Sequence, residues 1–429
     1  MNTLAILGGT PIRSEPPPPF NTIGQDEVDA VSKIVASGVM SGYIATSGKG
    51  FDGGPAARQL EADWAKTFDI EHAVAINSAT SGLVAAMGAI GVGPGDEVIV
   101  PPYTMSATVM APLAYGGIPV FVDIDPDTYC LTAHDVAAAI TPRTRAILAV
   151  NLFGLPAELN ELRALADKHG IYLIEDNAQA PLARQGGKLA GTIGHIGIFS
   201  LNRHKHIQTG EGGICVTADP DLALRLRMIR NHGEVAVSDF GIDDITNLVG
   251  FNLRITEMAA AVGVVQLRKL PAIIQKTVGY AERLADGLKG LDGFTPPHVP
   301  AGREHVYYSW AGRYDEAQTG VPRGLFAEAL RAEGFQAYEA YVQPLYMLPA
   351  FQRRRAIGRD GFPFTLTNRT YEPGLCPNCE SLYERELLGY PICAYTLSDK
   401  LVDQLIEAFH KVHAQRDTLA AMHNEATAD

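Results

Sequence analysis

The sequence predicts an α/β fold, with a largely parallel central sheet covered by helices on both faces and a smaller α+β domain after it. Three observations carry this. Short β-branched runs recur from about Glu71: "HAVAIN", "DEVIVP", "IPVFVDI", "RAILAVN" and "IYLIED". Helical segments such as "SGLVAAMGAIG" and "AELNELRALADKHG" alternate with them. The runs are apolar along their length, the mark of strands buried on both faces.

The elements follow in order. "PPPP", Pro16 to Pro19, marks an extended N-terminal arm over 1–23. A helix begins near Asp26, with acidic residues in its first turn and Gly38 as its stop. "GIFSL" and "GGICVT" are two further strands, and the large domain spans 24–293. Its last part, "RITEMAAAVGVVQLRKLPAIIQKTVGYAERLADGL", is strongly helical, with a break expected at Pro271. From 294 to 429, "YYSWAGRYD", "RGLFAEALRAEG" and "LSDKLVDQLIEAFHKVHAQ" suggest the small α+β domain, and the tail "NEATAD" is expected to fray.

Composition bounds the function. The 429 residues are 46% hydrophobic and 19% charged, so the chain can bury a sizeable core. A net charge of −13 argues against general affinity for nucleic acid or acidic membranes. The opening "MNTLAILGGTPIRSEPPPPF" does not read as a signal peptide, and no apolar run is long enough to span a bilayer. Five cysteines in this length suit a reducing cytoplasm. "CPNC", Cys376 to Cys379, has no second pair at zinc spacing and reads as a loop with two ordinary thiols.

In such sheets, ligands bind at the C-terminal ends of strands. After "HAVAIN" comes "SATSG", Ser78 to Gly82. Small hydroxyl residues at a helix start suit a phosphate, or serve only as an N-cap. The P-loop and dinucleotide fingerprints are absent. Tyr103 follows "DEVIVP", where its ring either stacks on a flat ligand or packs in the core. Asp176 ends "IYLIED". It is placed to bind metal, act as a base, pair with a protonated ring nitrogen or cap the next segment. In "SLNRHKHIQTGEGG", Lys205 stands between His204 and His206 before a glycine-rich turn. A desolvated lysine there can condense with an aldehyde, although a solvated turn lysine is commoner. The histidines lack helical metal-ligand spacing.

Together these are a phosphate cradle, a stacking ring, an acid and a lysine, the parts that pyridoxal phosphate needs. No metal is called for. "FQRRRAIGR", Phe351 to Arg359, adds three consecutive arginines that either grip a diphosphate or face water.

The motifs "GVGPGDEVIVPPYT", "EDNAQA", "FSLNRHKHIQTGEGG", "RNHG" and "GFNLRITEMAAAVGVVQL" fall in one order over most of the chain. In this the chain resembles the DegT/DnrJ/EryC1/StrS aminotransferases. The resemblance implies a fold-type I, aspartate-aminotransferase-like subunit in a homodimer with shared active sites. It puts Lys205 at the Schiff-base position and Asp176 at the pyridine-nitrogen partner. Gln179 falls where the family contacts the ring or its 3-hydroxyl, and Tyr103 takes the stacking place. Thr80, Ser81 and Ser200 take cofactor-phosphate positions, Ala79 a cofactor-binding position beside them, and Asn252 the position that reaches the partner subunit's phosphate. The chain departs from the family's usual residues at Ala79, Asn177, Leu201 and Asn202, which are expected near the cofactor as tuners of the substrate pocket.

The implied activity is pyridoxal-phosphate-dependent transamination. L-glutamate or L-glutamine would be the donor, and a keto-sugar, expected to be nucleotide-linked, or a keto-cyclitol the acceptor. The opener "LAILGGTPIR" resembles the subgroup acting on cyclitols. Other pyridoxal phosphate chemistry, such as dehydration or ring synthesis, and a non-catalytic regulator are the alternatives.

Overall fold

The computed structural model describes residues 3–428, with side chains described to Asn424. Helix α1 (Gln25–Ser37) ends at Gly38, whose φ of 71° is the left-handed cap the sequence anticipates. Helix α2 (Pro55–Phe68) leads into β1 (His72–Ile76), α3 (Ala79–Ala89) and β2 (Glu97–Val100). Then come α4 (Ala107–Ala114), β3 (Ile118–Phe121), α5 (Ala133–Ala139), β4 (Thr144–Val150), α6 (Leu159–His169) and β5 (Tyr172–Asp176). A short hairpin, β6 (Arg184–Gln185) and β7 (Lys188–Leu189), precedes β8 (Ile196–Ser200), β9 (Gly213–Thr217) and α7 (Pro220–Arg230).

The seven long strands form one sheet in the order β1-β9-β8-β5-β4-β2-β3. β2 to β5 and β8 run parallel, while β9 runs antiparallel to both β8 and β1. All residues of β2, β3 and β9 are buried, as strands covered on both faces require.

Helix α8 (Glu257–Gly287) runs for 31 residues straight through Pro271. The expected break does not occur. Proline there removes one ladder hydrogen bond. Burial of Leu267 and Leu270 before it and of Ile274, Ala281 and Leu284 after it holds both halves in place. Leu267, Leu270 and Ile274 belong to the large core and Ala281 and Leu284 to a second core, so α8 is a spine between them.

The second core is built around a four-stranded sheet, β10-β12-β14-β13. In chain order these are β10 (Phe294–Thr295), then β11 (Arg303–Glu304), which pairs with β6, and β12 (Trp310–Tyr314). After them come α9 (Glu316–Thr319), α10 (Arg323–Ala332), β13 (Tyr338–Glu339), α11 (Pro349–Gln352), α12 (Pro377–Ser381) and β14 (Leu387–Tyr390). Helices α13 (Asp399–Ala414) and α14 (Arg416–Ala428) close the chain. The tail expected to fray continues as helix to Ala428, and Asp429 lies outside the described residues.

Two placements depart from the sequence reading. Tyr346, Phe351, Phe364 and Tyr371 come late in the chain yet pack in the large core, three of them edge-on against Phe121 and Phe364 edge-on against Phe351. Cys376 and Cys379 sit at the cap and inside α12 rather than in a loop. Both are buried free thiols, pushed up by burial.

The opener docks on α10 and α13. Buried Glu333 accepts N–H bonds from Ala5 (2.9 Å) and Ile12 (3.0 Å) and pairs with Lys411 at 2.8 Å. "LAILGGTPIR" therefore does structural work away from the strand ends. Among the described residues, no helix is long and apolar enough to cross a membrane.

Candidate active site

Three strand ends define the site. Asp176 is the last residue of β5, whose next-door strand β8 ends at Ser200. Ser200 is paired across to Gly213, the first residue of β9. A Cβ on Gly213 would lie 2.7 Å from the Ala79 nitrogen and the Ser78 carbonyl carbon. Glycine is thus what lets the start of α3 sit down against the β8–β9 pair.

That helix start is capped from within. Ser78 Oγ accepts the Ser81 N–H at 3.1 Å and lies 3.0 Å from Ser81 Oγ. The cap reading of "SATSG" is therefore correct for Ser78. It leaves the N–H groups of Ala79 and Thr80, which have no acceptor in the preceding turn, at the positive end of the helix. Thr80 is exposed, and Ala79, Ser81 and Ser200 are half-buried. Ser200 Oγ accepts the Asn202 N–H at 3.2 Å.

Asp176 is buried. Its carboxylate accepts the Ala178 N–H (3.1 Å) and the Thr108 hydroxyl (3.2 Å). Burial raises its pKa, while the Ala178 N–H, the Lys205 charge and Thr108 oppose the rise. Both partners leave the carboxylate as an acceptor with capacity to spare.

Lys205 is also buried, and its backbone N–H donates to Asn202 O at 3.0 Å in the turn. Burial pulls its pKa down to about 8, with Asp176 and Cys393 opposing. A solvated turn lysine is thereby excluded. Its neighbours have other duties. His206 is buried with Nε2 3.0 Å from Val306 O, and burial lowers its pKa to about 4. His204 is exposed, and its pKa is also lowered, first by desolvation and then by Lys205. Among the described residues, no group of three or more His, Cys, Asp or Glu is arranged to hold a metal.

Gln179 and Tyr103 meet through one residue that the sequence reading did not select. Gln179 Oε1 accepts the Phe153 N–H at 2.7 Å, and its Nε2 donates to the Tyr341 hydroxyl at 3.2 Å. The Tyr341 N–H donates to the Tyr103 hydroxyl at 2.8 Å, and the two rings meet edge-on at 6.2 Å. Tyr103 is fully buried. Asn252 stands apart and exposed, bridged to Asn231 in the segment after α7.

The expectations for Asn177 and Leu201 are corrected. Asn177 does not face a pocket: its Nδ2 donates to Ala180 O and Ala190 O (3.0 Å each), and its Oδ1 accepts from Asn151 at 2.7 Å. Leu201 is fully buried in the large core. Asn202 binds Glu211 at 3.0 Å. Of the three arginines, Arg353 and Arg355 are exposed, whereas Arg354 turns inward and donates to the carbonyls of Phe364, Thr367 and Arg369.

Three more contributors were missed. Glu175 alternates with Asp176 along β5 and accepts the N–H groups of Gly191 (2.6 Å), Ile193 (2.8 Å) and Gly194, pinning the turn before β8. Its place one residue before the selected acid was a usable signal. Thr108 and Tyr308 offered none, since their contacts to Asp176 and Lys205 come from distant parts of the chain.

A buried acid, a depressed lysine and an open helix start at adjoining strand ends offer the acceptor, amine and N–H donors that a flat, phosphorylated aldehyde would need. The chain belongs to the DegT/DnrJ/EryC1/StrS aminotransferase family, whose profile matches residues 42–388. It is 35% identical over 97% of its length to the L-glutamine:2-deoxy-scyllo-inosose aminotransferase of Streptomyces kanamyceticus, covering 98% of that protein. It is 38% identical over 68% of its length to the UDP-N-acetyl-3-dehydro-alpha-D-glucosamine 3-aminotransferase of Acidithiobacillus ferrooxidans, covering 78% of that protein. Among solved structures, an aminotransferase from Psychrobacter cryohalolentis superposes with a TM-score of 0.80 at 28% identity, over 94% of this chain and all of the other. DesI, solved in the presence of its TDP-sugar product, gives 0.81 at 29% identity, over 98% and 99% of the two chains. The fold is therefore that of the family's pyridoxal-phosphate aminotransferases, and the chain is an aminotransferase.

Proposed function

We propose that this chain uses pyridoxal phosphate to move an amino group from L-glutamine or L-glutamate onto a polyhydroxylated cyclic ketone, with a keto-cyclitol favoured over a nucleotide-linked keto-sugar. The observation that carries the chemistry is buried Lys205, with its pKa near 8, in electrostatic contact with buried Asp176.

The residues present fit the cofactor. Gly213 clears the space beside α3, and the helix start with Thr80, Ser81 and Ser200 supplies donors and positive potential for a phosphate. Asp176 has acceptor capacity for a ring N–H, and Thr108 and Ala178 hold it in place. Gln179 is aligned through Phe153 and Tyr341. When bound, pyridoxal phosphate supplies an electron sink conjugated to the substrate nitrogen. Lys205 then acts at Nζ. As the neutral amine it would take a proton from one carbon, and as the ammonium it would return that proton to another within the same half-reaction. A pKa near 8 keeps both forms accessible at neutral pH. Asn252 is exposed, and in this reading it completes the site of a partner copy in a homodimer.

Two observations favour the cyclitol. The relative matched along nearly the whole of both chains is named for a cyclitol ketone. The arginine run offers no preformed diphosphate grip, because Arg354 is committed to backbone carbonyls.

The test incubates purified protein with pyridoxal phosphate and L-glutamine, then with 2-deoxy-scyllo-inosose or a UDP-linked 3-keto-sugar, and identifies the aminated product by mass spectrometry. Wild type should bind the cofactor with a visible absorbance band and aminate the cyclitol. Lys205→Ala should lose the band and the product while keeping its fold by circular dichroism. An unchanged band in Lys205→Ala would overturn the anchor.

A further inference from the structure

Tyr308 lies in the segment between β11 and β12, far along the chain from the lysine turn. Yet Lys205 Nζ sits 4.3 Å from the centroid of its ring. We infer that Tyr308 is the positioning residue of the lysine, its ring face holding the Lys205 ammonium at the site between proton uptake and proton return. This rests on the transaminase reading above.

The ring is not free to leave. Its segment is tied to the large domain on both sides: Val306 N–H donates to Gly154 O at 3.0 Å, and Ser309 N–H to Phe153 O at 3.3 Å. Val306 O is in turn held 3.0 Å from His206 Nε2, the residue next to the lysine. The lysine turn and the Tyr308 segment are thus clamped to each other beside the contact itself. The rings of His204 and His206 flank Tyr308 at 6.2 and 6.3 Å.

Charge favours a π-face here. Asp176 faces Lys205 from β5, Cys393 from the turn after β14, and Tyr308 from the segment before β12, with His204 and His206 on the lysine's own segment. Burial raises the Cys393 thiol to about 12 and lowers the His206 imidazole to about 4, so neither is charged near neutral pH. Burial also raises the Tyr308 phenol, so the ring stays neutral. Asp176 is then the one carboxyl group among these neighbours, and it is the acid assigned to the ring nitrogen. A neutral aromatic face stabilises the ammonium without competing for that acid and without itself accepting the proton. Tyr308 touches neither reacting atom in this account. It acts through Lys205.

The experiment titrates Lys205 in cofactor-free protein. The rate of its modification by an amine reagent is followed against pH by peptide mass spectrometry in wild type, Tyr308→Phe and Tyr308→Leu. Wild type and Tyr308→Phe should titrate together, because both keep the ring face. Tyr308→Leu should titrate about one pH unit lower, the shift expected for loss of a desolvated cation–π contact. In the loaded enzyme, the pH limb set by Lys205 should move the same way. If Tyr308→Leu does not fold, pentafluorophenylalanine at the same position keeps the shape and reverses the ring's electrostatics. It should lower the titration at least as far. A Leu or pentafluoro variant that titrates like wild type overturns the assignment, as does a Phe variant that moves as far as Leu. Failure of wild type to bind pyridoxal phosphate would instead sink the transaminase reading and leave the titration result standing.

Discussion

Replacing Gly213 by alanine tests the phosphate end of the site at a residue that carries no chemistry of its own. The new Cβ would stand 2.7 Å from Ala79 N, 2.7 Å from Ser78 C and 2.9 Å from Ser78 O. All three atoms are backbone, so no side chain can swing away. Relief to an ordinary contact near 3.4 Å requires the start of α3 to move by several tenths of an ångström from the β8–β9 pair. Overpacking of this kind costs about 1–3 kcal/mol. The same movement separates the Ala79 and Thr80 N–H groups from Ser200. A hydrogen bond to a charged group is worth about 1.5–3 kcal/mol. Loss of one such bond to phosphate corresponds to a weakening of roughly 10- to 100-fold. Gly213→Ala should therefore melt at lower temperature and bind pyridoxal phosphate at least tenfold more weakly, measured by fluorescence or absorbance titration. Affinity for the phosphate-free aldehyde pyridoxal should fall much less. Wild-type affinity for pyridoxal phosphate, or an equal loss for both ligands, would refute the placement of the phosphate between Ser200 and α3.

Asp176→Asn should retain the cofactor but lose most turnover, since an amide cannot hold the ring nitrogen protonated; near wild-type kcat would refute the pairing. Arg354→Ala should destabilise the fold by about 2 kcal/mol by freeing three carbonyls, read as a fall in Tm, while leaving KM for the ketone unchanged. A raised KM without loss of stability would restore a substrate role for that arginine. Mixing Lys205→Ala and Asn252→Ala subunits should generate heterodimers with one intact site and one doubly damaged site. An equal mixture should recover about a quarter of wild-type activity, and no recovery after proven subunit exchange would count against a shared site.

How much of this was legible in the sequence depends on the range of the interaction. Strands β1 to β5, β8 and β9 were readable because burial on both faces writes itself into consecutive residues. Lys205, Asp176 and the cap at Ser78 were readable because each stands at a strand end or a helix start, positions that local pattern defines. Pro271 misled because its cost is local, whereas the two cores that hold α8 together are assembled from distant residues. Tyr341 and Tyr308 were invisible for the same reason: each reaches the site from the far part of the chain, through contacts that no spacing encodes.

The departures Asn177 and Leu201 show where composition near a motif misleads about chemistry. Both flank selected residues, and both were expected at the substrate. The pleat decides otherwise. Asn177 follows Asp176 at the end of β5 and turns into a buried network with Asn151, Ala180 and Ala190. Glu175, on the other side of Asp176, holds the turn before β8 through three N–H bonds. The two neighbours of the acid thus fix the backbone that aims it, and neither meets substrate. Arg354 follows the same logic, a charged residue inside a charged run whose job is to close a loop. Selectivity for the ketone is then to be sought in side chains that face Lys205 and, in the proposed homodimer, in the exposed Asn252 segment. Substrate discrimination is therefore better sought by varying those positions than by varying the residues adjacent to the motifs.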